Sequence, residues 1–199
     1  MASFTPQNAP SSVSMQDFRA AVDQMGGPAK QCRFAVRIQP PSGVSGGNSG
    51  LIKDLTYLCE AAEFPGRGFS VVQTRYYGPS QMFPVNSEYQ PINLSFICRS
   101  DSQERRFFDD WLDVINPVDN FNFEYPNNYY SEIEVYQYAE WGQPGTATPT
   151  PHISYSWTLK KAWPTLVSPQ AVSWAEQDYL RLQVSFAYKY WDRPTLVQH

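Results

Sequence analysis

The chain has 199 residues, three cysteines and a formal net charge of −4. With 42% hydrophobic, 16% aromatic and only 17% charged residues it can bury a real core, which excludes wholesale disorder. Seventeen prolines and eleven glycines argue against a helical bundle, and the acidic balance argues against tight binding to nucleic-acid phosphates.

In chain order, residues 1–12 read as an arm rich in Pro, Ser and Asn. Ser14 and Asp17 form a capping-box-like pair, and a short amphipathic helix is predicted from Met15 to Met25. It shows Met15, Phe18, Val22 and Met25 on one face and stops at Gly26-Gly27. A lone helix this short needs a surface to lie on, its own domain or a neighbouring subunit. Strand patterns follow at Arg33–Gln39 and, after a flexible loop Pro40–Gly50, at Leu55–Phe64. Phe69–Tyr77 and Gln81–Val85 read as a hairpin-like excursion around Gly78-Pro79, and Ile92–Arg99 alternates cleanly. The strong internal helix is Ser102–Ile115, with Asp101 and Glu104 as a capping box and a stripe of Phe107, Phe108, Trp111, Leu112 and Ile115. Pro117 ends it. Further strands are predicted at Phe121–Tyr125, Glu132–Tyr138, Ile153–Trp163 (broken by Pro164), Ala171–Trp174 and Tyr179–Trp191, with a loop over Trp141–Pro151. The last strand shows the clearest period of two. The predicted fold is mainly β, a sandwich or rolled barrel of antiparallel strands with one inserted α-helix and an N-terminal helical arm.

The chemistry is sparse. Cys32, Cys59 and Cys98 lie far apart with no CxxC, which excludes a zinc ribbon or dithiol redox motif and suits reduced thiols filling core positions, made in a cytosol. The N-terminus carries no signal-peptide pattern, and no apolar run approaches the roughly 20 residues of a membrane span. His152 and His199 are the two histidines, too few for a histidine triad or a multi-histidine metal site. Phosphate-cradling GxxxxGK[ST] and GxGxxG are absent. Asp109, Asp110 and Asp113 on the helix, and Glu132 and Glu134 on one strand face, are the remaining candidates for acid–base work on a glycan. Their positions opposite apolar stripes favour solvated faces over catalysis. Residues 101–140 carry a local charge of −8, leaving +4 for the rest. A chain polarised in this way can associate head to tail.

The ending Ala162-Trp163-Pro164-Thr165, Val172-Ser173-Trp174 and Leu182–Trp191 (LQVSFAYKYW) resembles that of tail tube proteins from contractile-tailed bacteriophages. Leu94-Ser95-Phe96 with Arg105–Trp111 (RRFFDDW), and Phe34–Ile38 after a helical arm, are similar to the family's middle and first strands. The resemblance spans roughly residues 13–191. It implies a tail-tube β domain over 31–193, between an arm (1–30) and a tail (194–199). It implies two packed antiparallel sheets, a six-subunit ring whose sheets join into an inner barrel, and rings stacked into a tube through which DNA passes without specific binding. The implied partners are further copies, sheath, baseplate and tape measure proteins. No cofactor, metal or catalytic residue is implied. The longer arm and the 141–151 loop leave the baseplate tube initiator open as an alternative, and a carbohydrate-binding or carbohydrate-active protein is the reading from another class. Three groups of site residues are expected. Phe69, Tyr76, Tyr77, Met82, Phe83 and Tyr89 make the Pro65–Pro91 excursion an inter-subunit arm. Phe107, Trp111 and Ile115 make the helix a buried buttress. Glu132, Glu134, Gln183 and Ser185 are candidates for a polar, net acidic lumen.

Overall fold

A computed structural model describes residues 14–23, 28–44, 49–142, 151–175 and 177–194. The elements are α1 (Met15–Asp23), β1 (Phe34–Ile38), α2 (Ser49–Leu58), β2 (Cys59–Ala62), β3 (Arg67–Thr74), β4 (Gln81–Tyr89), β5 (Ile92–Ile97), α3 (Gln103–Ile115), α4 (Pro126–Tyr129), β6 (Ser131–Gly142), β7 (Pro151–Val167), β8 (Arg181–Ala187) and β9 (Tyr190–Asp192). The architecture is mainly β with inserted helices and an N-terminal helical segment.

Two compact units are distinguishable. The smaller holds α1 and the adjoining ends of β6 and β7. In α1 the Asp17 N–H donates to Ser14 Oγ at 3.1 Å and the Ser14 hydroxyl donates to the Asp17 carboxylate at 2.8 Å. The N-terminal signal is thus a reciprocal cap. Met15 and Phe18 remain exposed.

The larger unit is a seven-stranded sheet in the order β1-β6-β7-β8-β5-β2, with β9 beside β7. Its ladders are antiparallel: Val36 faces Val135, Leu94 faces Val184, and Phe96 faces Leu182. Alternation does the sorting. Ile133 and Val135 of β6, Leu94 and Phe96 of β5, and Leu182, Val184 and Phe186 of β8 are fully buried. Each such side chain contributes about 1.5–3 kcal/mol over an exposed one. α3 closes this core. Phe108 lies 5.3 Å from Phe96 and 6.0 Å from Phe186, and Trp111 lies 5.9 Å from Phe186.

Several expectations need correction. Leu55–Phe64 is not one strand: residues through Leu58 belong to α2, whose apolar Leu51 and Leu55 pack on the core, and β2 begins only at Cys59. The predicted loop Pro40–Gly50 therefore ends before Ser49; residues 45–48 lie outside the described residues. Among the described residues the inserted helix is one of three after β1. Phe121–Tyr125 alternates like a strand but joins no ladder among the described residues; alternation alone does not make a strand without a paired edge. Ala171–Trp174 forms no strand either. Pro164 does not break β7. The ladder with β8 shifts register between Pro164 and Leu166, a place where a missing N–H is tolerated. Lys161, at φ 58°, sits between the segment of β7 that pairs with β9 and the segment that pairs with β8. The last strand divides at Tyr188-Lys189 into β8 and β9. β6 and β7 run into the predicted Trp141–Pro151 loop, whose residues 143–150 lie outside the described residues. So do the arm 1–12, Met25 and 195–199.

The Asp101/Glu104 capping box is also replaced. Ser102 holds the N-cap position at φ 49° without a side-chain cap. Glu104 is instead fully buried and accepts from the Arg99 backbone N–H at 3.3 Å and Arg99 Nε at 2.5 Å. Arg99 also reaches Asp54 of α2 at 2.9 Å. A buried carboxylate needs such a partner, and this one ties α2 to the start of α3.

Candidate functional site

β3 and β4 form a two-stranded hairpin that, among the described residues, pairs with no other strand. Its turn carries Gly78 at φ 77°, a conformation that glycine adopts without steric cost. Pro84 lies where the register shifts opposite Val71. Phe69, Val71, Val72, Met82, Phe83 and Val85 are all exposed, and at the tip Tyr76 and Tyr77 are 99% and 94% exposed. Tyr89 differs: it lies half-buried at the hairpin base, edge-on to Tyr188 at 6.2 Å. Arg67 clamps the same base, over Phe69 at 5.0 Å and Tyr89 at 5.5 Å, and donates to Ser87 at 3.0 Å. An isolated two-stranded hairpin is marginal in water, and this one exposes more apolar surface than a monomer ordinarily shows.

Phe107, Trp111 and Ile115 sit on the core face of α3, where Trp111 Nε1 also donates to the Tyr129 carbonyl at 3.0 Å. Asp109 and Asp110 lie on the outer part of the helix beside Arg105 and Arg106 at i−4 spacing, 3.1 and 3.9 Å away. Such exposed pairs are worth a few tenths of a kcal/mol.

The outer sheet face carries Glu132, Glu134, Gln183 and Ser185. Glu132 accepts from Lys160 Nζ at 2.7 Å, and Glu134 accepts from Tyr136 Oη at 2.6 Å and Arg37 at 3.4 Å. Arg181 bridges Glu60 and Asp178, each at 2.7 Å. Ser185 donates to Asn93 at 2.5 Å, while Gln183 is exposed. Partial burial, and beyond it the Glu134 carboxylate, push the Tyr136 phenol up to about 12. Hydrogen bonding to Arg181 holds Asp178 below the usual carboxylate range. Glu132 and Glu134 are thus held by cations, not paired with each other as an acid and a base. Among the described residues no cluster of three or more His, Cys, Asp or Glu could hold a metal.

The sequence reading missed one surface. Val118, Phe121, Phe123 and Tyr125 are all exposed on the irregular segment between α3 and α4. Their alternation reads as a strand in the sequence, whereas the structure leaves the segment irregular with its rings exposed.

The family model for phage tail tube proteins matches residues 29–193. No curated protein matches the chain. Among solved structures, the sheath–tube complex of an extracellular contractile injection system (PVC, extended state) is similar at 14% identity, covering 92% of this chain and 98% of the other, with a TM-score of 0.58. The six-fold symmetrised anti-feeding prophage baseplate is similar at 14% identity, with coverages of 85% and 97% and a TM-score of 0.59. The tube-terminating cap of that particle is similar at 16% identity, with coverages of 83% and 90% and a TM-score of 0.57. These likenesses are of fold; the family match covers most of the chain and carries the assignment. The chain belongs to the phage tail tube protein family and is a structural, non-enzymatic component of the virion tail.

Proposed function

We propose that this chain is the repeating subunit of the tube, closing into hexameric rings that stack into the conduit for DNA. The observation that carries this is the β3–β4 hairpin, whose apolar side chains beyond its base stand exposed among the described residues. The hairpin is the arm that grips a neighbouring copy. Ring closure also answers the two ends of the sheet, β1 and β2, each with one side outside any ladder among the described residues. Joining such edges around a ring removes a template for aggregation.

The inner sheet face is filled with side chains. Only the polar outer face, with Glu132, Glu134, Gln183 and Ser185, is available to line a lumen. Its acids neutralise its cations, which suits a channel that must release a polyanion. Sheath on the outside, baseplate at one end and tape measure protein within are the corresponding partners. The similar sheath–tube and baseplate structures support this reading. The initiator would need only one self-complementary ring face. The polarised charge of 101–140 against the remainder favours two such faces, and so the bulk subunit.

Electron microscopy of purified tails, with copy number from quantitative mass spectrometry, tests this. Many stacked six-fold rings of this chain per tail are expected. A single ring at the baseplate end would replace the bulk subunit with the initiator.

A further inference from the structure

From Phe107 to Leu159 the chain contains no Lys or Arg. Within that stretch Val118, Phe121, Phe123 and Tyr125 stand exposed, the last two at 78% and 79%. Asp119 and Glu124 are interleaved with them, and neither has a cationic partner among the described residues. Glu124, which accepts from Asn128 Nδ2 at 2.7 Å, and Asp113, also without a cationic partner among the described residues, line one open pocket of about 390 Å³, together with Val114, Pro117 and Asn128. Phe121 holds φ 53°, an outlier for a bulky residue, and its exposed ring gains no burial in return. The surface is apolar and acidic, with no cation among the described residues to neutralise it.

The hairpin tip is its complement. Arg75-Tyr76-Tyr77 presents two of the most exposed aromatic rings of the chain beside an exposed guanidinium that makes no ion pair among the described residues. Tip and segment are different patches on one chain. A contact between them is therefore heterologous and passes from copy to copy, as rings and tubes require. A self-complementary contact would stop at a dimer.

We propose that the Val118–Tyr125 segment is the receiver for the hairpin tip of another copy of this chain. Tyr76 and Tyr77 pack on Phe121, Phe123 and Tyr125, and Arg75 enters the pocket between Asp113 and Glu124. Aromatic pairing supplies contact area and the charges set the register. This rests on reading the hairpin as an inter-subunit arm and adds what the arm grips.

The test uses the full chain with Cys32→Ser, which removes the exposed thiol. Two preparations, Tyr77→Cys and Phe123→Cys, are assembled together and oxidised. A disulfide-linked heterodimer is expected in the mixture and not in either preparation alone. Separately, Arg75→Glu is expected to raise the concentration needed for assembly about tenfold, and mixing it with Glu124→Arg to restore assembly. All four positions are exposed, and circular dichroism of the variants checks that the fold is retained. If tubes form normally without the mixed disulfide, and Arg75→Glu assembles like the parent, the receiver assignment is overturned while the tube subunit stands. If the parent forms no rings or tubes and no disulfide, both readings fall together.

Discussion

At the scale of single residues, the physics is mainly that of burial. Burial pushes the Cys59 thiol up to about 12, and its Sγ–H donates to the Ala61 carbonyl at 3.5 Å. Cys32 is exposed. A thiol reagent at pH 8 is therefore expected to modify Cys32 first and Cys59 only on unfolding, checked by peptide mass mapping. Burial and the charge of Tyr89 likewise raise Tyr188 to about 12, the value that Tyr136 also reaches. A phenol whose folded pKa lies above the unfolded value of about 10 stabilises the fold fully below that value. The stabilisation is lost as pH rises through the folded pKa. Thermal midpoints should therefore fall between about pH 10 and 12, and Tyr136→Phe should flatten part of that fall. A midpoint that stays level across this window would contradict the placement of both phenols.

At the scale of elements, α3 and β7 make separable claims. Trp111→Ala removes a fully buried ring and its bond to the Tyr129 carbonyl. Chemical denaturation is expected to show a loss of about 3–5 kcal/mol. Lys161 holds a left-handed conformation inside β7 with its Nζ 5.9 Å from the Tyr130 ring centre. Lys161→Gly should be near neutral, whereas Lys161→Ile should cost about 1–2 kcal/mol, because a branched side chain resists that backbone. Equal losses for both would show that the conformation is unimportant. The same elements show what was legible in sequence. β8 was readable because Leu182, Val184 and Phe186 face a core and Arg181 and Gln183 face water, so burial and alternation coincide. The stripe of α3 was readable for the same reason, and the hairpin because its glycine and proline punctuation is local. α2 was not, because its short stripe of Leu51 and Leu55 follows a glycine-rich stretch and runs directly into β2. Phe121–Tyr125 misled because alternation reports a side-chain pattern, whereas a strand also needs a neighbouring edge. The fate of Glu104 was hidden since its partner, Arg99, lies outside the helix.

At the scale of the whole molecule, assembly is what remains to be satisfied. Tyr76→Ser with Tyr77→Ser removes the exposed rings of the tip and touches no core residue. The expected outcome is an unchanged unfolding transition with loss of rings and tubes, read by calorimetry and by sedimentation. A destabilised monomer would instead mark the tip as part of the subunit's own fold. The lumen candidates divide in kind. The carboxylates were recognisable by alternation, but their cations, Lys160 on β7 and Arg37 on β1, come from other strands and emerge only with the register. Glu132→Gln with Glu134→Gln would unmask Lys160 and Arg37 together. Tails assembled from that variant should retain DNA and eject it more slowly, with the delay relieved by salt.

The pairing of Arg37, Lys160 and Arg181 with carboxylates has a consequence for friction. An unpaired cation presents a monopole, and a row of monopoles along a bore is a corrugated track with a trap at every ring for a passing phosphate. A cation closed on its own acid presents a dipole, whose field dies away within a shorter distance, and the track becomes smooth. In a bore lined this way, the speed of a sliding polyanion follows the viscosity of the medium and the driving pressure, and changes little with ionic strength.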